Sequence, residues 1–252
     1  MSALRRAAAA LCLAAALPAA AYILPVPGIL RRLGERRAAL SLDALEVQGS
    51  LVARGNAAER IAGAAPRGAG GDASAPARFL MKVPGRCRLE IVRPGAPEAE
   101  RPFAAVRDGK VTGPLADLPP VAAFARALCT LLAAPTSGDA SDVFAGLLTR
   151  RGVGLGEATL GRFDGRIAYV VGGRAKDAKP LLFVSKDGFQ PLRLVAPEGK
   201  ELLDVRLLGW GSPSGGDWFP RAVEVWAKDA TLLRFTTERA AANPRLAEQL
   251  FP

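Results

Sequence analysis

The sequence predicts a mainly β fold with helices (α+β): an unclosed, strongly curved antiparallel β-barrel, or half-barrel, of about ten or eleven strands. Helices are expected to plug or cover its concave face. Three observations predict this fold. Apolar and polar residues alternate in many short segments, which is typical of half-buried strands. Asp-Gly pairs at 108–109, 164–165 and 187–188 mark hairpin turns. Residues 120–151, in contrast, carry apolar residues at helical spacing.

Residues 1–21 have the three parts of a secretory signal peptide. Arg5 and Arg6 precede an apolar run, Pro18 breaks that run, and small residues up to Ala21 form a cleavage pattern. We therefore expect an exported chain that is cleaved near Ala21 and is soluble afterwards. The alternative is an uncleaved N-terminal anchor, which would leave the protein associated with a membrane.

Residues 22–252 are predicted to form a single domain. A helix is expected over 29–40, a strand from Ala44, and a flexible Gly/Ala/Pro-rich loop over 62–77. Strands are then expected near 78–83, 87–91, 103–107, 110–111, 156–163, 166–172, 180–186, 189–195, 201–210, 218–228 and 231–238. The helical insert 120–151 is too apolar to be exposed, so we expect it to form a lid in or over the concave face.

The composition excludes several classes of enzyme. The chain has no histidine, so it can contain no Ser-His-Asp triad, no Cys-His dyad and no histidine-ligated metal. Two carboxylate pairs, Asp139 with Asp142 and Glu198 with Glu201, show nothing that would give their members opposite catalytic roles. We therefore expect a protein that is not an enzyme, with no catalytic residues, no metal and no cofactor.

The chain is basic, with a formal net charge of +10. No basic patch interleaved with aromatic residues accompanies this charge, so no nucleic-acid partner is expected. Four arginines of the first expected helix are predicted to form a solvated helix face, and attraction to an acidic membrane surface is the alternative. They are Arg31, Arg32, Arg36 and Arg37.

Cys87 and Cys129 are the two cysteines that would remain after cleavage of residues 1–21. An oxidising compartment would allow them to pair, which makes them candidates for a disulfide. The alternative is a pair of buried, unbonded thiols.

Residues 78–94, RFLMKVPGRCRLEIVRP, combine a strand, a basic residue, a proline turn and a second strand that ends in a proline. The turn Asp108-Gly109-Lys110 follows, and a long meander completes the chain. Over residues 44–252 this layout resembles the LolA/LolB-like superfamily of lipoprotein carriers. One position departs from the family: members carry an arginine directly before the hairpin proline, where it helps to hold the lid, and here that residue is Val83.

The resemblance implies an unclosed barrel that holds acyl chains between its sheet and its helices, in the periplasm. The expected partners are a lipid or a lipidated protein, with inner- or outer-membrane envelope proteins as further partners, and the protein is expected to be a monomer. Alternation in the strands and helices selects the candidate cavity residues Val47, Leu51, Phe79, Met81, Leu89, Ile91, Phe103, Phe124, Leu128, Phe144 and Leu148. The alternative function is an envelope sensor or scaffold of the same fold, which binds a protein partner without lipid.

Overall fold

The computed structural model describes residues 23–62, 71–93, 95–136 and 138–252, so the predicted signal peptide lies outside it. The described chain contains the helices α1 (Val26–Ala38), α2 (Asn56–Ala62), α3 (Pro119–Leu132) and α4 (Ala140–Arg150). Its strands are β1 (Ala44–Ala53), β2 (Ala73–Lys82), β3 (Arg86–Ile91), β4 (Phe103–Arg107), β5 (Lys110–Thr112), β6 (Ala158–Phe163), β7 (Arg166–Val171), β8 (Leu181–Ser185), β9 (Pro191–Glu198), β10 (Glu201–Leu208), β11 (Ala222–Ala227) and β12 (Ala230–Ala242).

All the strands belong to a single antiparallel sheet, in the order β5-β4-β3-β2-β1-β12-β11-β10-β9-β8-β7-β6. The edge strands β5 and β6 do not pair with each other, so the barrel is not closed. This confirms the predicted fold class. The sheet has 12 strands, slightly more than the number expected.

Helix α3 fills the concave side of the sheet. It contacts β3, β4 and β5 near one edge and also β9 to β12 beyond the centre, so the sheet curves around it. Pro119 and Pro120 suit the first turn of a helix, and nearly every later residue of α3 is buried. Arg126 is the one charged residue in this helix. Helices α1 and α4 pack against each other, and α3 together with α4 makes up the predicted helical insert.

Two boundaries differ from the expectation around residues 62–77. Helix α2 was not predicted, and strand β2 begins at Ala73, inside the segment expected to be a loop. The small residues at the start of β2 pair with the second half of β1, from Ala73 opposite Ala53 to Ala77 opposite Gly49. Hydrogen bonds to β1 and the burial of one face therefore keep this segment in a strand. Its sequence does not indicate a strand, because it has no large apolar side chain.

Four phenylalanine rings form the centre of the core between the sheet and α3. The ring of Phe79 lies 6.0 Å from Phe124 and 5.5 Å from Phe219, and Phe235 lies 5.8 Å from Phe124. All four side chains are fully buried. Burial of each ring contributes roughly 1.5–3 kcal/mol to folding, so α3 is held mainly by apolar contacts.

The convex face of β2 and β3 carries a network of ion pairs around Glu90. This carboxylate is completely buried, and it accepts hydrogen bonds from Arg78 and Arg101 at 2.9 Å and from Arg88 at 3.0 Å. Three charged donors thus replace the water that the carboxylate loses.

The C-terminal tail crosses the same convex face. Glu248 pairs with Lys82 of β2 and with Arg86 of β3. Arg88 donates a hydrogen bond to the carbonyl oxygen of Leu250 at 3.1 Å, and Phe251 is only 2% exposed. The tail is therefore bound to the outer face of the β2–β3 hairpin by ion pairs and a hydrogen bond.

Candidate ligand cleft beside the plug helix

Ten of the eleven predicted cavity residues lie together in the core, and each is at most 1% exposed. Those on strands point to the concave face, and those on helices pack against them. The set consists of Val47, Leu51, Phe79, Met81, Leu89, Ile91, Phe124, Leu128, Phe144 and Leu148. In this conformation they form one packed core with α3, so the hollow expected from the sequence is occupied by the helix.

Phe103 lies on the opposite face, which corrects the prediction for that residue. It stands opposite Glu90 on β3, whereas its neighbour Ala104 stands opposite the inward-facing Leu89. The guanidinium of Arg88 lies 3.7 Å from the centre of the Phe103 ring. A cation–π contact on the convex face therefore holds this ring.

A cleft of about 770 Å³ opens between α3, α4 and the turns of two hairpins. It lies beside the packed core, where α3 meets the sheet. We call it the arginine cleft; its lining includes Pro84, Val106, Cys129, Leu147, Arg126, Arg150 and Arg151. Apolar walls and three cations therefore share one cavity.

Both hairpin turns of the arginine cleft are tied to α3. The backbone N–H of Gly85, in the β2–β3 turn, donates to the carbonyl oxygen of Ala133 at 2.7 Å. In the β4–β5 turn, the carbonyl oxygen of Gly109 accepts from Arg126 Nε at 3.1 Å. Gly85 and Gly109 both have positive φ, which glycine adopts readily. The shape of the cleft therefore depends on the position of α3.

The cleft has an excess of positive charge. Glu198 pairs with both Arg126 and Arg151, while Arg150 is exposed and enters no ion pair within the described residues. Burial lowers the pKa of Arg151, although the nearby Glu198 carboxylate acts in the opposite direction. Arg151 also donates to the carbonyl oxygen of Pro197 at 3.2 Å. Glu198 and Asp108, which also lines the cleft, thus balance two of the three arginine charges, and the remaining positive charge would attract an anionic group at the mouth.

One residue of the sequence is a faint signal of this cleft. Arg126 is the one charge in an otherwise apolar helix, and such a residue must reach a polar partner or an opening. In the sequence, Glu198 stands out only as a possible catalytic partner of Glu201. The structure instead pairs it with two arginines from distant parts of the chain.

Cys87 of β3 and Cys129 of α3 are brought into bonding contact, with their Cα atoms 5.6 Å apart. This separation is usual for a disulfide. Cys129 also lines the arginine cleft. A bond between these residues would fasten α3 to the sheet at the wall of the cleft.

The predicted solvated arginine face of α1 is wrong for Arg37, which is only 7% exposed. Leu30, Leu33, Gly34 and Arg37 follow one another at helical spacing, and all lie on the buried side of α1. The guanidinium of Arg37 donates from Nη2 to the carbonyl oxygen of Leu132 at 2.8 Å. Arg37 thus links α1 to the end of α3.

The described residues include no cluster of three or more His, Cys, Asp or Glu side chains that could hold a metal ion. Among the helices that the structure describes, none has both the length and the apolar character needed to cross a membrane.

No family model matches the chain. No curated protein matches it either. Several solved structures are similar. One is a LolA superfamily protein, NE2245 from Nitrosomonas europaea: identity is 14%, the match covers 91% of this chain and 98% of that chain, and the TM-score is 0.49.

Two further solved structures are similar at lower identity. A DUF1329 family protein from Desulfovibrio piger is 11% identical, with 91% of this chain and 98% of that chain covered and a TM-score of 0.45. A domain proposed to be an outer membrane lipoprotein-sorting protein, from Vibrio parahaemolyticus, is 10% identical, with 87% and 94% covered and a TM-score of 0.45. These likenesses concern the fold alone, and they include the superfamily that the sequence resembles.

Proposed function

We propose that the protein is an exported carrier of the cell envelope that binds a lipid, or the acyl chain of a lipoprotein, in the arginine cleft. The observation that carries this proposal is the composition of the cleft, which combines apolar walls with a cationic mouth. Its volume of about 770 Å³ falls within the usual range for small-molecule pockets, about 300–1,000 Å³.

The two kinds of lining suit the two parts of an amphiphile. Val106 and Leu147 offer apolar contacts to a hydrocarbon chain, for which each buried CH₂ group contributes about 0.8 kcal/mol. Arg150 is exposed at the same cleft, so it can meet a phosphate or carboxylate head group without first losing a partner. No catalytic group is needed for such binding.

The packed core sets a condition on how deeply a chain can enter. Phe124 and Leu128 of α3 occupy the concave face, so the described conformation corresponds to an unloaded or shallowly loaded protein. A long acyl chain would reach the core only if α3 moved away from the sheet. The apolar residues that this movement uncovers would then line the path of the chain.

Native mass spectrometry after mild extraction, followed by displacement of a fluorescent fatty acid, tests the proposal. The wild-type chain should retain a lipid and bind the probe saturably. Leu147→Asp places a charge on the half-buried cleft wall, and we expect it to weaken binding by more than about tenfold, equivalent to about 1.4 kcal/mol. The matched control is Leu202→Asp, since Leu202 is 37% exposed and lies outside the cleft. Equal affinities in the two variants, or no probe binding by the wild type, would refute carriage in this cleft.

The packing of α3 favours a second candidate, in which the protein senses or scaffolds an envelope protein without lipid. The phenylalanine contacts fill the concave face without a ligand, which supports this candidate. Under this hypothesis, a partner isolated from envelope extracts should bind wild type and Leu147→Asp equally. Loss of that partner in Leu147→Asp, together with loss of lipid, would favour the carrier.

A further inference from the structure

Arg37 is a buried cation that forms no ion pair with the residues that the structure describes. Its guanidinium donates from Nη2 to the carbonyl oxygen of Leu132. The nitrogens Nε and Nη1 are shielded from solvent and find no acceptor among the residues that the structure describes. Burial, with a contribution from Arg36, lowers the pKa of Arg37 to about 10. A buried guanidinium normally has an anionic or fully hydrogen-bonded environment, so this site lacks a partner.

Arg37 lines a small pocket between α1 and α4, which we call the seam pocket. It has a volume of about 270 Å³, and Gly34, Asp139 and Ala140 also line it. The 11-residue helix α4 begins at this pocket, so the positive end of its dipole is directed there. Helix N-termini of this kind are common binding sites for phosphate and carboxylate groups.

Two carboxylates and a second arginine also line the seam pocket. Glu35 lies 3.8 Å from Arg31, and Asp139 accepts a hydrogen bond from the backbone N–H of Ser141 at 2.7 Å. Arg36, the neighbour of Arg37, forms an ion pair with Asp217 at 2.7 Å. Of the two arginines that line the seam pocket, Arg37 is therefore the one that forms no ion pair within the described chain.

We propose that the seam pocket binds a single oxyanion, a phosphate or carboxylate group, between the guanidinium of Arg37 and the N-terminus of α4. The anion would enter by a slight separation of α1 from α4, and it would supply the acceptor that Nε or Nη1 lacks. The pocket is too small for a long acyl chain, and it is separate from the arginine cleft. The site therefore stands independently of lipid carriage there.

Titration of the full chain with inorganic phosphate, at an ionic strength held constant with chloride, tests the site. We expect a saturable rise in Tm and saturable heat in calorimetry. Arg37→Met should abolish both responses. Methionine suits the buried position because its side chain is apolar and similar in volume to the one it replaces. Arg36→Met is the matched control, since it removes an adjacent arginine that already has a partner. Arg37→Lys, which keeps the charge but loses the planar fork, should weaken phosphate binding by about tenfold.

Two further arms distinguish the sources of the anion. Free phosphate that binds in an Arg37-dependent way supports a soluble ligand. A lipid head group is supported if the protein binds phosphatidylglycerol vesicles but neither phosphatidylcholine vesicles nor free phosphate. Arg37→Lys should then weaken the binding to phosphatidylglycerol vesicles. Acetate in place of phosphate tests a carboxylate in the same way. The proposal is overturned if no arm gives a saturable response, or if Arg37→Met and Arg37→Lys respond as strongly as the wild type.

Discussion

Loss of a bond between Cys87 and Cys129 should destabilise the fold by about 4 kcal/mol. The two residues are 42 positions apart, and the entropy of closing a loop of that length in the unfolded chain gives this value at 25 °C. The bond would also join β3 to α3, so its removal frees the helix that fills the concave face. For a chain of this size, a loss of 4 kcal/mol lowers Tm by roughly 8–16 °C.

Thermal unfolding with and without a dithiol reductant measures this effect. The wild type should lose stability when reduced, whereas the double variant Cys87→Ala/Cys129→Ala should unfold at the same lower temperature in both conditions. Mass spectrometry after thiol alkylation counts the free thiols. Two free thiols in the untreated protein, or a wild-type Tm that the reductant leaves unchanged, would refute the reasoning.

Three other perturbations have defined outcomes. Glu90→Gln leaves three arginines facing a neutral group, so we expect a loss of roughly 3–5 kcal/mol in urea unfolding; a loss below 1 kcal/mol contradicts it. Gly34→Ala places a Cβ 2.2 Å from that of Ala140, so α1 and α4 must separate at a cost of roughly 1–3 kcal/mol of stability. An unchanged Tm would show that α1 and α4 pack less closely than this contact requires. The pKa of Glu248 lies below its ordinary value because of Lys82, so the contribution of this ion pair to holding the tail is complete above the ordinary pKa and is lost as the pH falls through the lowered one. The Tm of the wild type should therefore exceed that of a Glu248→Gln chain at neutral pH and approach it in acid, whereas a constant difference would contradict the assignment.

The predictable parts of the fold are those in which the two faces of an element differ in character. In β3 and in the second half of β2, large apolar residues alternate with charged ones, so these strand segments and their inward faces were predictable. Strand β4, with the sequence FAAVR, is apolar on both faces at its first four positions. The pairing of Phe103 with Glu90 places Phe103 on the convex face of the sheet. This register is defined only in the folded sheet, so the sequence of β4 alone cannot indicate which face is buried.

The candidate sites were less predictable, because they combine residues from distant segments. The arginine cleft is lined by two hairpin turns and by α3 and α4. No local sequence pattern indicates that these distant segments lie side by side. Arg37 is different, since its helical spacing from Leu30 and Leu33 could have shown that it lies on the buried side. The charge of the residue concealed this signal, because arginine is rarely found fully buried.

The order of the strands has a consequence for synthesis. β1 is among the first elements to be made and β12 among the last, yet they are neighbours within the sheet. A growing chain can assemble β1 to β5, but the free edge of β1 has no partner until residues beyond Ala230 are available. An exposed strand edge readily pairs with another chain, so unfinished copies of this protein are prone to aggregation through β1. Completion of the last long strand is the event that removes this hazard.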